Sequence, residues 1–284
     1  MPAREPVVLG DRQILRLRGP ADRPAGSVSP AMETARGTRL LRIASYNVHE
    51  CRGVDLRTDP GRIAEVIRSL DADIVSLQEV LSGPDGAAAS QLRYLAERTG
   101  MHVAVAGPTM RKAHSPYGNA LLSRFPITRV RLHDITLGRF EPRGIIDADI
   151  RVADRTVRVV STHFGLRPME RKRQAERLLQ ILPEHPADPL IVMGDMNGWV
   201  PGSPVMRRLQ DRLGEPAVVR TFPAPFPILP LDRIWVMGYR FDVEAPPSRL
   251  ARISSDHLPL VATVYLREDA PRNPSRFRIS GDER

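Results

Sequence analysis

One cysteine, Cys51, is present, and a lone thiol excludes an internal disulfide framework and a cysteine-rich zinc site. Lysine is nearly absent as well: it occurs only at Lys112 and Lys172, so the net charge of +9 is carried by arginine. Such a skew arises from genomic base composition without any ligand, and no long basic stripe runs along the chain. No apolar run reaches the roughly 18 residues that a membrane-spanning helix needs. The N-terminal stretch carries Arg4, Asp11 and Arg12 and lacks the apolar heart of a secretion signal. A cytoplasmic location is therefore the expectation, and the chain is read as a monomer.

What is present is ordinary for a globular protein. The 284 residues are 42% hydrophobic and 26% charged, enough for one sizeable core without staples. The basic balance favours a polyanionic partner: nucleic acid, an anionic membrane surface or a phosphorylated small molecule. Residues 1–38 are rich in Pro, Gly, Arg and Ala and read as a disordered leader, and residues 268–284 as a flexible tail. Residues 39–267 form the expected domain.

Within it, short β-like runs alternate with helical ones. Strands are expected at Leu40–Val48, Ile74–Leu77, Met101–Ala106, Asn119–Ser123, Leu190–Met193, Arg233–Met237 and Leu260–Tyr265. Ile145–Val152 and Thr156–Thr162 flank a turn and read as a hairpin. Helices are expected at Pro60–Leu70, Gln91–Thr99 and Pro168–Leu182. Hairpins mixed with strand–helix units imply an α/β (α+β) sandwich containing mixed sheets.

Polar residues with chemical capacity recur at the ends of these strands: Asn47 and His49, Gln78 and Glu79, His163, then Asp195 and Asn197. Strand ends are where a rigid scaffold presents active-site groups. Each has an ordinary reading. Glu79 can cap a helix, Asn47 and Asp195-Met196-Asn197 can make turns, His163 can be a satisfied core histidine, and Asp256-His257 a surface ion pair. Together they make sense as a hydrolytic metal site. Oxygens from Glu79 and Asn47 suit Mg²⁺, with Mn²⁺ as a substitute, because a hard cation keeps several waters and leaves room for phosphate. Asp195 can deprotonate a water, Asn197 can donate to a phosphate oxygen, and His163 and His257 can donate to the charge that develops there. Asp232, bonded to His257, would hold its ring and favour the protonated form.

The ordered set Ser45-Tyr46-Asn47, Gln78-Glu79, Gly118–Ser123, Thr162-His163, Gly194–Asn197, Leu231–Ile234 and Ser255-Asp256-His257 resembles the endonuclease/exonuclease/phosphatase (DNase I-like) superfamily over about residues 40 to 266. That resemblance implies a four-layer sandwich of two packed mixed β-sheets flanked by helices, with the site at one edge. It implies that Asn47 and Glu79 hold the metal, with Asp256 a metal-side or hydrogen-bonding carboxylate. By the same resemblance Asp195 and Asn197 activate water and hold phosphate, His257 and His163 contact phosphate, and Asp232 orients His257. Asn119 and Arg143 fall where members place substrate contacts.

Neither fold nor metal site selects the substrate. The proline-rich apolar segment Thr221–Pro230 precedes Asp232 and resembles an uncharacterised bacterial subgroup of the family. It cannot be a central strand. It reads either as a loop folded on the core or as an apolar lip that touches lipid or a hydrophobic substrate group and, with arginines nearby, suits an anionic membrane surface. Three readings stay open: a phosphodiesterase or phosphatase acting on a phospholipid or small phosphoester, a DNA or RNA nuclease, and a catalytically inactive binding module.

Overall fold

A computed structural model describes residues 7–8, 14–16, 38–83, 90–112, 115–184, 189–200 and 202–267. In chain order these form β1 (Val7–Val8), β2 (Ile14–Arg16), β3 (Thr38–Asn47), α1 (Pro60–Leu70), β4 (Ile74–Leu81), α2 (Gln91–Thr99), β5 (Val103–Lys112) and β6 (Ser115–Ser123). There follow β7 (Ile127–Asp134), β8 (Gly144–Val152), β9 (Arg155–His163), α3 (Pro168–Ile181), β10 (Leu190–Asp195), α4 (Pro204–Leu213), β11 (Asp232–Met237), β12 (Phe241–Glu244), α5 (Arg249–Ser254) and β13 (Leu260–Arg267).

Local chemistry sets the helix ends. Asp59 accepts from the Arg62 amide and Pro60 opens α1, whose inner face buries Ile63, Val66, Ile67 and Leu70. Ser90, Ser203 and Ser248 cap α2, α4 and α5 in the same way. Asp71 and Gly100 take the left-handed conformation that stops α1 and α2.

The strands build two sheets. One has the order β1-β7-β8-β9-β10-β11 and the other β12-β13-β3-β4-β6-β5-β2. Both are mixed, because β3 runs parallel to β4 and β9 to β10 while their other neighbours are antiparallel. Period-two alternation sorts the core into three slabs. Ile43, Leu121, Val159, Ile191 and Ile234 meet between the sheets. Their chain neighbours Ala44 and Leu122 face α1 and α2, while Val160, Val192 and Trp235 face α3 and α4. The result is helix, sheet, sheet, helix: four layers. Beneath one edge a buried polar bridge joins the sheets, with the Ser76 and Ser161 hydroxyls 2.5 Å apart and Gln78 Nε2 donating to Ser76.

Six of these elements lie outside the expected list. β7 alternates poorly because Arg129, Arg131 and His133 interrupt it; α4 carries four charged residues in ten, with Met206, Leu209 and Leu213 as its buried face. β12 and α5 are short. The expected leader contributes an edge strand to each sheet, β1 beside β7 and β2 beside β5, since apolar pairs such as Val7-Val8 supply backbone to an open edge. The expected tail lies outside the described residues. No helix among the described residues is long and apolar enough to cross a membrane.

Arg131, which helps to break the β7 pattern, has a partner across the strand pair. Asp147 on β8 is fully buried, and Arg131 and Arg158 grip it in paired hydrogen bonds of 2.7–2.9 Å. Burial pushes the Asp147 carboxyl up, but hydrogen bonds from Arg131, His133 and Arg158 outweigh it and hold the group well below the usual carboxylate range. A depressed carboxylate stabilises the fold above its unfolded pKa of about 4 and loses that contribution as pH falls below it. Urea midpoints are therefore expected to drop as pH goes below about 4. Asp147→Ala should remove about 3 kcal/mol at neutral pH, because partly buried Arg158 loses its carboxylate and Arg131 keeps only Asp149. Equal urea midpoints for variant and wild type at pH 7 would refute this.

Candidate active site

The catalytic-type residues gather where the strand ends of both sheets meet. On the six-stranded sheet, register alone aligns three of them: Asp195 on β10 lies opposite His163 on parallel β9 and opposite Asp232 on antiparallel β11. Gly194 permits that approach. Its φ is +145°, and a Cβ there would stand 1.9 Å from the Thr162 carbonyl oxygen. On the seven-stranded sheet Asn47 ends β3. A register break between Leu77 and Val80 turns Glu79 out of the β4 ladder with φ +59°. His257 follows α5 on the loop into β13.

Asp195 is the hub and is 1% exposed. Its Oδ1 accepts the Asn197 backbone N–H at 2.8 Å. Its Oδ2 lies 3.3 Å from Asn47 Nδ2, 3.4 Å from His163 Nε2 and 3.7 Å from His257 Nε2. Burial raises the Asp195 pKa to about 6, against the pull of cationic His257.

The two histidines behave differently. His257 Nδ1 donates to Asp232 Oδ2 at 2.9 Å. Burial resists its charging, yet the carboxylates of Asp232 and Asp195 prevail and raise its pKa to about 10. His257 is an imidazolium at neutral pH. His163 is neutral: burial, Arg143 and His257 all lower its pKa well below the ordinary value. The Arg143 guanidinium lies 3.0 Å from His163 Nδ1 and has only protons to offer, so Nδ1 accepts and the ring proton sits on Nε2, toward Asp195. Asn197 Nδ2 donates to the Phe164 carbonyl and packs 3.2 Å from that same Nε2.

The remaining expected residues are near but differently engaged. Asn119 donates to the Gly144 carbonyl at 2.9 Å, and Arg143, 7% exposed, spans His163 and Glu141. Asp256 turns to His49, 3.8 Å away, and to the Ser255 hydroxyl at 3.4 Å rather than bonding Asn47 or Glu79. Three further residues build the site. Thr221 donates its hydroxyl to Asp232 Oδ2 at 2.6 Å, Ser255 donates to the Asn47 carbonyl at 2.8 Å, and the Phe222 ring packs on His257 with centroids 4.9 Å apart. Thr221 and Phe222 head the proline-rich segment, whose apolar residues mask the hydroxyl, and Ser255 opens the Ser255-Asp256-His257 motif.

Two places have the donor atoms for a metal ion. Asp195, Asp232 and His257 offer ligand atoms within 4.8 Å of one another. There the imidazolium already supplies the positive charge between the carboxylates. Glu79 fits better: its carboxylate meets no basic side chain among the described residues and accepts only from the Asn47 amide, at 3.1 Å. Asn47 shows those carboxylates its Nδ2 while Oδ1 accepts from the His49 amide, so a half-turn of the amide would offer a hard oxygen beside Glu79. A carboxylate and an amide oxygen are the hard donors that an ion such as Mg²⁺ or Mn²⁺ prefers.

Residues 44–257 match the Endonuclease/Exonuclease/phosphatase family. An uncharacterised protein of Escherichia coli, YbhP, is 32% identical over 250 residues, covering 80% of this chain and 96% of its own. Among solved structures, an endonuclease/exonuclease/phosphatase from Beutenbergia cavernae shares the fold with TM-score 0.66 and 24% identity, over 81% of this chain and 72% of that one. The catalytic domain of human Nocturnin, solved with bound sulfate, does so with TM-score 0.63 and 22% identity, over 81% and 95%. A mannosyl-6-phosphatase of Bacteroides thetaiotaomicron does so with TM-score 0.60 and 19% identity, over 79% and 99%. The fold, the site and the match over most of its length agree: the chain belongs to the endonuclease/exonuclease/phosphatase family, whose members are generally hydrolytic enzymes.

Proposed function

We propose that the protein is a Mg²⁺-dependent phosphoester hydrolase in which Asp195 activates the attacking water. The observation that carries this reading is the burial of one carboxylate, Asp195, between a neutral histidine and a cationic one. Glu79 and Asn47 would hold the ion, which when bound supplies Lewis acidity at a phosphoryl oxygen.

The chain's own residues divide the remaining work. Asp195 takes a proton from water as the water oxygen bonds to phosphorus. Its raised pKa makes it a stronger base than an exposed carboxylate while leaving it ionised at neutral pH. The bond from phosphorus to the departing oxygen breaks with its electron pair on that oxygen, which is protonated from solvent. His257 Nε2–H and His163 Nε2–H donate to the non-bridging oxygens, where charge accumulates. Asp232 and Thr221 lock the His257 ring, and Arg143 fixes the His163 tautomer.

Purified protein assayed with Mg²⁺, Mn²⁺ or EDTA on bis-p-nitrophenyl phosphate, plasmid DNA and phospholipid vesicles tests the reading and sorts substrates. EDTA-sensitive cleavage supports it; no turnover with any substrate in either metal sinks it. Glu79→Gln should raise the Mg²⁺ concentration for half-maximal activity about 10-fold or more, the size of loss typical when a metal site is weakened. An unchanged metal response would remove Glu79 from the ion.

A further inference from the structure

We propose that two apolar lips studded with arginine dock the site mouth on an anionic lipid bilayer, and that the phosphoester cleaved belongs to a membrane lipid. The second clause rests on the hydrolase reading above.

The first lip adjoins His257. Phe222 packs on that ring, and the chain beyond it carries Phe226, 81% exposed, and Ile228, 63% exposed. This segment is held rather than loose. The amides of Ile228 and Leu229 donate to the Phe222 carbonyl, and Arg252 Nη1 donates to the carbonyls of Ala224 and Pro225. Pro223, Pro225, Pro227 and Pro230 stiffen it further. A rigid loop thus keeps two large apolar side chains in water, where a folded-back loop would have buried them.

The second lip adjoins the other histidine. Leu166, 64% exposed, follows His163-Phe164-Gly165, and Met169, 69% exposed, stands on the first turn of α3. Trp199 and Val200, each about half exposed, follow Asn197 and Gly198. Arg171 joins the two segments: its Nη1 donates to the Gly165 and Leu166 carbonyls, and its guanidinium lies over the Trp199 ring at 6.0 Å. Arg167 lies over Phe140 at 5.1 Å. Because Asp195 sits between His163 and His257, the reacting centre lies between the lips.

Charge selects the occupant. Exposed Arg220 precedes the first lip in the chain, and exposed Arg249 stands on α5, whose Arg252 holds that lip. Exposed Arg167, Lys172 and Arg173 flank Leu166 and Met169 in the second, in a chain of net charge +9. Isolated apolar tips with a tryptophan among basic side chains match a bilayer interface, whose anionic headgroups attract arginine and whose boundary accepts aromatic rings.

The test is sedimentation of the full chain with phosphatidylcholine vesicles, with or without phosphatidylglycerol. Two double variants, Phe226→Ser with Ile228→Ser and Trp199→Ser with Val200→Ser, are compared with the wild type. All four positions are exposed and outside the machinery, so bis-p-nitrophenyl phosphate turnover should stay unchanged and reports intact folding. The wild type should pellet with the mixed vesicles and far less with phosphatidylcholine alone. Each double variant should lose most of its bound fraction. Wild-type protein left in the supernatant, or variants that bind like it, would overturn docking while bis-p-nitrophenyl phosphate turnover keeps the hydrolase reading. Serine variants that dissolve a dimer, with no vesicle binding by the wild type, would overturn it in favour of a second copy. Vesicle binding without hydrolysis of any phosphoester would sink the hydrolase reading and the lipid-substrate clause while leaving the docking surface standing.

Discussion

Asp195→Asn is expected to lower turnover by roughly 10²- to 10⁴-fold, the contribution of a positioned general base. The exchange keeps the side-chain outline and retains an oxygen for the Asn197 amide, whose bond at 2.8 Å holds the turn after β10. It removes the buried charge that faces both histidines. That charge also helps to keep His257 protonated, so the variant weakens two groups at once. Two costs oppose each other in the fold. A new amide N–H would face Asn47 Nδ2, whereas two buried carboxylates would no longer repel across the strand pair. Steady-state rates on bis-p-nitrophenyl phosphate, read beside far-ultraviolet circular dichroism, separate chemistry from collapse. A folded variant turning over at the wild-type rate would remove Asp195 from the reaction.

Gly194→Ala should have the largest effect on stability of any single-methyl addition in the site. The obstacle is backbone, the Thr162 carbonyl at 1.9 Å, so no rotamer change relieves it, and the φ of +145° is hostile to any L side chain. A loss of about 4 kcal/mol or more is expected, which for a domain of this size lowers the melting temperature by roughly 10 °C. Gly100→Ala is the matched control: it too has positive φ, but no atom lies within 4 Å of the added Cβ. Its cost should be limited to about 1 kcal/mol of backbone strain. Equal melting temperatures for the two variants would refute the clash.

Much of the architecture was legible because burial writes periodicity into the chain. α1 and α2 begin and end where cap residues Asp59, Ser90 and Gly100 stand, and each strand that carries a site residue was visible as an apolar run. Which strand sits beside which was not legible, since the alignment of His163, Asp195 and Asp232 arises from pairings between distant segments. β7 escaped because Arg131 answers Asp147, a partner 16 residues away that a local pattern cannot reveal. The site residues could be named from motifs, and the Asp232 partner already favoured a protonated His257. The neutral tautomer of His163 and the outward turn of Asp256 could not be read, because they depend on what lies against that ring and that carboxylate. The second lip went unread because Leu166, Met169 and Trp199 are scattered single apolar residues until α3 and the turn after β10 bring them together.

The division of the site between the sheets has a consequence of its own. Asn47 and Glu79 belong to one sheet and His163, Asp195 and Asp232 to the other, with the Ser76–Ser161 bridge beneath them. In the proposed mechanism neither sheet carries both the metal-holding oxygen pair and the base, so each alone is half a reagent. Catalytic power would then be a property of the seam, acquired only when two separately hydrogen-bonded bodies lock face to face. On that reading a chain with all its strands formed but its halves unmated would be harmless to every phosphoester around it: a safeguard built into assembly itself.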